Sequence, residues 1–148
     1  MCLDTITKTA YDMPDACIAY KIVLRKNRQG ELIGYLPYLM SDPFTYTTPD
    51  SAKYPSMGWG ISDENHKAYA VFSNDEYLAG VHAYTDREFA VDYTEAVNTN
   101  VHIDSYWPRQ YYLAVCVKVL LRGPICEGME YSDKVVVYKE CIILNEEI

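Results

Sequence analysis

The sequence predicts an α+β fold: an antiparallel-dominated sheet of about six or seven strands, covered on one face by one main helix over residues 85–97. Two observations support this prediction. Short apolar segments rich in β-branched and aromatic residues recur between turn residues, and only one stretch has sustained helical periodicity. The 148 residues are the size of one domain, so we interpret residues 1–148 as a single domain.

The N-terminal part predicts a hairpin followed by a long loop. The segment CIAYKIVLR (17–25) is typical of a strand, NRQG supplies turn residues, and ELIGYLP (31–37) returns as a strand that ends at proline. Residues at about 40–65 then mix Pro, Ser, Thr and Asp with aromatic residues and have no sustained period. Loops of this length in compact domains are often binding segments.

The middle of the chain predicts two short strands and the helix. The strands are HKAYAVFS (66–73) and LAGVHAY (78–84). In the helix, Thr85 and Glu88 have the spacing of a capping box. Behind the cap, the residues at apolar helical spacing are Phe89, Ala90, Tyr93, Ala96 and Val97.

The C-terminal part predicts the strands that complete the sheet. YYLAVCVKVLLR (111–122) is a nearly continuous apolar run, which we expect to be interrupted at Gly123-Pro124. ICEGMEY follows, SD forms a turn, and KVVVYKECIIL (134–144) is the last strand.

The charge balance excludes one class of function. The formal net charge is −8, and it is uneven: residues 1–30 carry +2 and residues 31–148 carry −10. Broad binding to a phosphate backbone needs lysine and arginine, so direct nucleic-acid binding is not expected. An acidic body either keeps the protein soluble or attracts a partner with a basic surface.

The cysteines and the terminus indicate a reduced, soluble protein without a metal. The five cysteines are odd in number and lack C-x-x-C spacing, so we expect free structural thiols. Cys2 could act as an N-terminal nucleophile only without the initiator methionine. No run approaches the length of a membrane span and no signal-peptide pattern begins the chain, which predicts a cytoplasmic location. No cofactor is implied.

His82 is the main candidate for chemistry. His66, His82 and His102 lack the spacing of a zinc site. Strand alternation places His82 and Tyr84 on one face of the sheet. If that face is open, His82 could contact a ligand; if it is covered, His82 is a hydrogen-bonded structural residue.

Three segments resemble a group of small uncharacterised proteins of tailed bacteriophages. They are the MCLD start, the hairpin AYKIVLRKNRQGEL, and AGVHAYTDREFA with the two closing strands. In that group a G-[FV]-H-x-[FY] strand leads into an alanine-bearing helix. The strand–histidine–helix order is also similar to ADP-ribosyltransferase-like and RNA 2′-phosphotransferase-like folds, in which a strand histidine contacts a nucleotide ribose.

Three functional hypotheses follow. The first is a phage accessory protein of the host cytoplasm that binds a host protein, such as a defence or nucleic-acid-handling factor with a basic surface. The second is a nucleotide-binding protein or enzyme that uses the His82/Tyr84 face. The third is a structural virion component that assembles as a homo-oligomer. The partner contacts predicted for the first are Tyr46, Tyr54, Trp59, Tyr106 and Trp107, and the ligand contacts predicted for the second are His82, Tyr84, Arg87 and Arg109.

Overall fold

A computed structural model of the chain describes residues 3–28, 31–37, 67–78, 80–99 and 112–145. These ranges contain eight strands and one α-helix, which confirms the α+β class. The helix α1 spans Arg87–Thr99, and a short 3-10 turn spans Ala10–Asp12. The strands are β1 (Thr5–Thr9), β2 (Ala16–Arg28), β3 (Glu31–Pro37), β4 (Lys67–Tyr69), β5 (Glu76–Leu78), β6 (Val81–Tyr84), β7 (Tyr112–Glu130) and β8 (Asp133–Asn145).

Six of these strands form one antiparallel sheet that closes on itself. Their order is β1-β7-β8-β6-β2-β3, and β7 also pairs with β2. The pairings from β2 through β7, β8 and β6 therefore return to β2, where a single pair, Tyr20 with Tyr84, completes the ring. The closure depends on the length of β7, which pairs with β2 through its first half and with β1 through its second half. β4 and β5 form a separate hairpin.

Strand alternation gives this ring two buried surfaces. The inner cluster is contributed by all four strands of the ring and includes Val81, Val117, Val136 and Tyr138. The outer cluster lies between the ring, α1 and the β4–β5 hairpin, and it includes Tyr77, Tyr84, Ala90 and Val137. Successive residues of β6 and β8 thus alternate between the two clusters, as the period of a strand requires.

The helix packs on the outer surface as predicted, but it begins two residues later than expected. Asp86, and not Thr85, caps it, because Oδ1 of Asp86 accepts hydrogen bonds from the backbone N–H groups of Glu88 and Phe89. The predicted capping box of Thr85 and Glu88 is therefore wrong. Thr85 instead continues the pairing with β8, since its N–H donates to the carbonyl of Lys134.

The predicted apolar stripe of the helix is correct except at one position. Ala90 and Val97 are buried, and Phe89 and Tyr93 pack against the same cluster. Ala96 is exposed, and Thr94 takes the buried position because its hydroxyl donates to the carbonyl of Ala90 at 2.7 Å. A threonine can therefore stand on the buried face when its hydroxyl bonds within the helix.

The end of the helix is fixed to the sheet by a side-chain amide. Asn98 donates from Nδ2 to the carbonyl of Ala114 at 2.8 Å, and its Oδ1 accepts from the N–H of Ala114 at 2.9 Å. This pair of bonds imitates a neighbouring strand at the edge of β7. The amide therefore anchors the last turn of α1 to the beginning of β7.

The predicted strand over 78–84 is two strands in different sheets. β5 ends at Leu78, and β6 begins at Val81. Gly80 lies between them, and a Cβ atom there would collide with the backbone of Tyr138 and the side chain of Ile125. Glycine lets the chain pass this close to β8 while it turns from the hairpin into the sheet.

The predicted strand over 66–73 is shorter than expected. β4 ends at Tyr69, and residues 71–73 form the turn of the β4–β5 hairpin. The N–H groups of Val71 and Phe72 donate to the carbonyls of Leu3 and Asp4, each at 2.9 Å. The hairpin tip is therefore docked on the residues that precede β1.

The predicted interruption at Gly123-Pro124 is an irregularity inside one long strand. The register between β7 and β8 shifts between Pro124 and Cys126, yet β7 continues to Glu130. Gly123 has a φ of +74°, which glycine adopts without strain. The strand bends there without ending. The loop predicted at about 40–65 lies outside the described residues.

Candidate functional site

His82 lies on β6 in a covered position, with 7% of its surface exposed. Its Nδ1 is 3.1 Å from the carbonyl of Gly80, and its Nε2 is 2.9 Å from the hydroxyl of Tyr77. A carbonyl can only accept, so Nδ1 carries the proton and Nε2 accepts from Tyr77. The Tyr77 hydroxyl in turn accepts the N–H of Leu3 at 3.0 Å. Both ring nitrogens are therefore used inside the protein.

The surroundings of His82 also keep the ring neutral. Burial, together with the positive charge of Lys21, lowers the pKa of His82 to about 3. The ammonium of Lys21 donates to the carbonyl of His82 at 2.9 Å, so the cation is fixed beside the ring. A histidine in this state holds β6 against the β4–β5 hairpin, and its nitrogens are not directed at a ligand.

Tyr84 stands two residues further along the same face, as the alternation of the strand predicts. Its ring packs edge-on against Phe89 at 5.0 Å between centroids and against Tyr93 at 6.0 Å. Its hydroxyl donates to Oε1 of Glu130 at 3.4 Å, a long hydrogen bond. Tyr84 thus connects the aromatic contact of the helix to a carboxyl group at the end of β7.

Glu130 is the last residue of β7 and is 7% exposed. Among the described side chains, its Oε2 is the buried polar atom that has no hydrogen-bond partner. The following turn consists of Tyr131 and Ser132, whose φ angles are +50° and +70°. Both are non-glycine residues in the left-handed region, so this turn is strained. The buried carboxyl therefore lies directly beneath a strained turn.

The pKa of Glu130 is displaced in the direction opposite to that of His82. Burial is the main cause that raises the pKa of Glu130 to about 7, and the carboxylate of Asp4 acts in the same direction, while the N-terminal ammonium, Tyr84 and Lys21 act against it. The neutral acid is the form that burial favours. Near neutral pH, Glu130 is therefore divided between its protonated and ionised forms.

Asp4 bonds to two turns that carry exposed apolar side chains. Its Oδ2 accepts the N–H of Tyr131 at 3.0 Å, and its backbone carbonyl accepts the N–H of Phe72. The side chains of Val71, Phe72 and Tyr131 are 62%, 76% and 68% exposed. We call these three side chains, together with Asp4, the Asp4 patch.

The remaining predicted site residues divide into two groups. Tyr84 lies beside His82 as predicted, and Arg87 is exposed at the first turn of α1. Tyr46, Tyr54, Trp59, Tyr106, Trp107 and Arg109 lie outside the described residues. No contact in the described part of the chain favours a nucleotide over another ligand at the His82/Tyr84 face.

The described cysteines are free thiols, as predicted, and they are Cys17, Cys116, Cys126 and Cys141. Burial raises the pKa of Cys116 to about 11 and that of Cys126 to about 12, so both remain protonated near neutral pH. Within the described ranges, no group of three or more histidine, cysteine or acidic residues is arranged to hold a metal ion. None of the described helices has the length and apolar character needed to cross a membrane.

The chain matches no protein family model, no curated protein and no solved structure.

Sequence reasoning identified His82 and Tyr84 but missed Glu130 and the Asp4 patch. Val71 and Phe72 were assigned to a strand because VF is typical of one, although the following SND supplies turn residues. Glu130 lies one residue from the predicted SD turn, where a charged side chain is ordinarily exposed. Its burial arises from Asp4 and Tyr84, which are distant in sequence.

Proposed function

We propose that this protein acts by binding another protein, and that the Asp4 patch is part of the binding surface. The observation that carries the proposal is that three large, mostly exposed apolar side chains belong to two turns whose backbones both bond to Asp4. Single exposed apolar residues are common on protein surfaces, but a contiguous apolar group beside polar residues is typical of an interaction site.

The composition of the patch supports this proposal. Phenylalanine and tyrosine are enriched in the centres of interfaces, where they bury a large area with few rotatable bonds. Both are presented from turns whose backbone is fixed by hydrogen bonds to Asp4. A surface that is already ordered before binding loses little conformational entropy when a partner arrives.

The hydrogen bonds and the protonation state of His82 argue against catalysis by this residue and therefore support a binding function. Both ring nitrogens are bonded inside the protein, and the ring is kept neutral. A general base must reach a substrate proton with a free nitrogen. His82 therefore makes structural contacts with both of its nitrogens, whereas the enzyme hypothesis requires a base with a free nitrogen.

The partner that we propose has a basic surface. The net charge of −8 attracts such a surface over a distance set by the ionic strength. The resemblance to small tailed-bacteriophage proteins suggests a host protein as this partner. The aromatic residues predicted at 40–65 and 106–107 are further candidate contacts of the same interface.

The test compares capture by the wild type with capture by two variants. We expect wild-type protein immobilised on beads to retain one or more proteins from bacterial lysates, and a V71S/F72S variant to lose them. Tyr11→Ser is the matched control, because Tyr11 is 97% exposed and lies at the other end of β1. Raising the salt concentration should weaken capture, since the proposed attraction is partly electrostatic. Equal capture by all three proteins would show that the patch does not bind a partner.

A further inference from the structure

The inference concerns Oε2 of Glu130, which is buried without a partner in the described structure. The groups that act on this carboxyl come from four elements and from the N-terminal ammonium, the charge that lowers its pKa most. The hydroxyl of Tyr84 on β6 bonds the other oxygen, the carboxylate of Asp4 lies before β1, Lys21 lies on β2, and Asp133 pairs with Glu130 across the turn on β8. Buried carboxyl oxygens are normally paired, so this one needs an explanation.

The free protein avoids the problem by protonation. A neutral acid loses less on burial than a carboxylate does, and the negative charge of Asp4 disfavours a second one beside it. Lys21 moderates this effect, but its ammonium is fixed at the carbonyl of His82. Burial and the charge of Asp4 therefore both favour the protonated form of Glu130, which is present in part of the molecules near neutral pH.

A cation would be attracted by both carboxyl groups. A guanidinium or ammonium donates several hydrogen bonds, whereas an anion would be repelled by Asp4. The stem of an arginine or lysine is apolar and can pack against Phe72 and Tyr131. The charge and the apolar surface of the site thus select the same kind of side chain.

We propose that the Asp4 patch binds a partner segment in which an arginine or lysine stands among apolar residues, and that this cation pairs with Glu130 as Glu130 releases its proton to solvent. This inference rests on the proposed binding function. Oε2 is buried, so the cation reaches it only after a local rearrangement around Glu130.

The first experiment selects peptides from a random library displayed on a carrier, with the full-length protein as the target. We expect the enriched peptides to contain an arginine or lysine next to aromatic or aliphatic residues, and to bind the F72S variant at least about tenfold more weakly. Glu130→Gln preserves the shape and neutrality of the protonated acid, and it should weaken the same peptides by about tenfold or more. Glu95→Gln, which removes an exposed helical charge, should leave binding unchanged.

The second experiment measures how many protons are released when a selected peptide binds. Calorimetric titration of a selected peptide in two buffers of different ionisation enthalpy should show a release approaching one proton per peptide at about pH 6, and much less at about pH 8. Glu130→Gln should abolish this release, and Glu95→Gln should preserve it. The proton count is independent of whether a variant changes affinity, so it distinguishes ionisation of Glu130 from a general loss of structure.

The outcomes separate the two proposals. If peptides depend on Phe72 but contain no cation, or release no proton, the binding function stands and the role of Glu130 is wrong. If no selected peptide depends on Phe72, the Asp4 patch is not a binding surface and both proposals are wrong.

Discussion

His82 and Glu130 lie on the same tyrosine-lined surface of the sheet, are equally buried, and yet are treated in opposite ways by the fold. His82 has a partner at each nitrogen and a pKa lowered to about 3. Glu130 has one long hydrogen bond, one unpaired oxygen and a pKa raised to about 7. Burial favours the neutral form of each side chain, but only the histidine has a hydrogen-bond partner at each polar atom of its side chain.

The difference shows which buried polar group stabilises the fold and which one opposes it. A buried group with all its hydrogen bonds made contributes to stability, whereas an unpaired atom carries an uncompensated loss of hydration. Groups of the second kind in folded proteins often have a function that compensates for their cost. The sequence drew attention to the histidine, but the structure makes the glutamate the better candidate for function.

The largest effect is expected when the bonded histidine is removed. His82→Ala should lower the free energy of unfolding by about 4 kcal/mol, because it leaves a cavity and removes the acceptor at Nε2 for the Tyr77 hydroxyl and the donor at Nδ1 for the Gly80 carbonyl. Urea denaturation followed by tyrosine fluorescence measures this change. A loss below about 1 kcal/mol would mean that the buried histidine is not structural, and the comparison would fail.

The pH dependence of the free energy of unfolding tests the directions in which the two pKa values are changed. Glu130 binds its proton more tightly in the folded state, so its contribution to stability is present below about pH 4.5 and is lost as the pH rises to about 7. His82 binds its proton less tightly when folded, so its contribution is present above about pH 6.5 and is lost as the pH falls toward about 3. The two contributions oppose each other where their windows overlap.

Glu130→Gln should isolate the contribution of the glutamate. The difference in free energy of unfolding, variant minus wild type, should rise by about 3 kcal/mol between pH 4.5 and 7, since a displacement of one pKa unit corresponds to about 1.4 kcal/mol. Glu95→Gln should give a difference that does not vary with pH. A flat difference curve for Glu130→Gln would show that the pKa of Glu130 is not raised in the folded protein.

The fold was predictable because its main determinants are local patterns. Strand alternation predicted β2, β3 and β8 to within a few residues, and helical spacing predicted α1. Closure of the ring was not predictable, since it depends on β7 continuing past Gly123 and on one pair between Tyr20 and Tyr84. Register between strands distant in sequence is set by packing, and no local pattern encodes it.

The candidate site likewise has one part that could be predicted from the sequence and one part that could not. His82 and Tyr84 could be placed on one face because they are neighbours on a strand. Glu130 gains its raised pKa mainly from burial and also from Asp4, which is distant along the chain and lies next to the strand β1 that pairs with β7. A glutamate beside a turn is ordinarily solvated, so no local pattern indicates that this one is buried.

Replacement of Tyr77 or Tyr84 by phenylalanine tests the same comparison with smaller expected changes in stability. Tyr77→Phe should lower the free energy of unfolding by about 1.5 kcal/mol, because it leaves both Nε2 of His82 and the N–H of Leu3 without the hydroxyl. Thermal unfolding measures this effect, and a change within experimental error would show that the Leu3–Tyr77–His82 chain of hydrogen bonds does not form.

Tyr84→Phe should have the smallest effect, about 0.5 kcal/mol, although Tyr84 is more deeply buried than Tyr77. Its hydroxyl reaches Oε1 of Glu130 only at 3.4 Å, and the ring contacts with Phe89 and Tyr93 are retained by phenylalanine. The hydroxyl lowers the pKa of Glu130, so its removal should move that pKa upward, which NMR titration of the labelled carboxyl carbon can follow. If Tyr84→Phe instead destabilised the protein more than Tyr77→Phe, the hydroxyl of Tyr84 would be a principal structural bond. Glu130 would then belong, like His82, to the bonded interior of the fold.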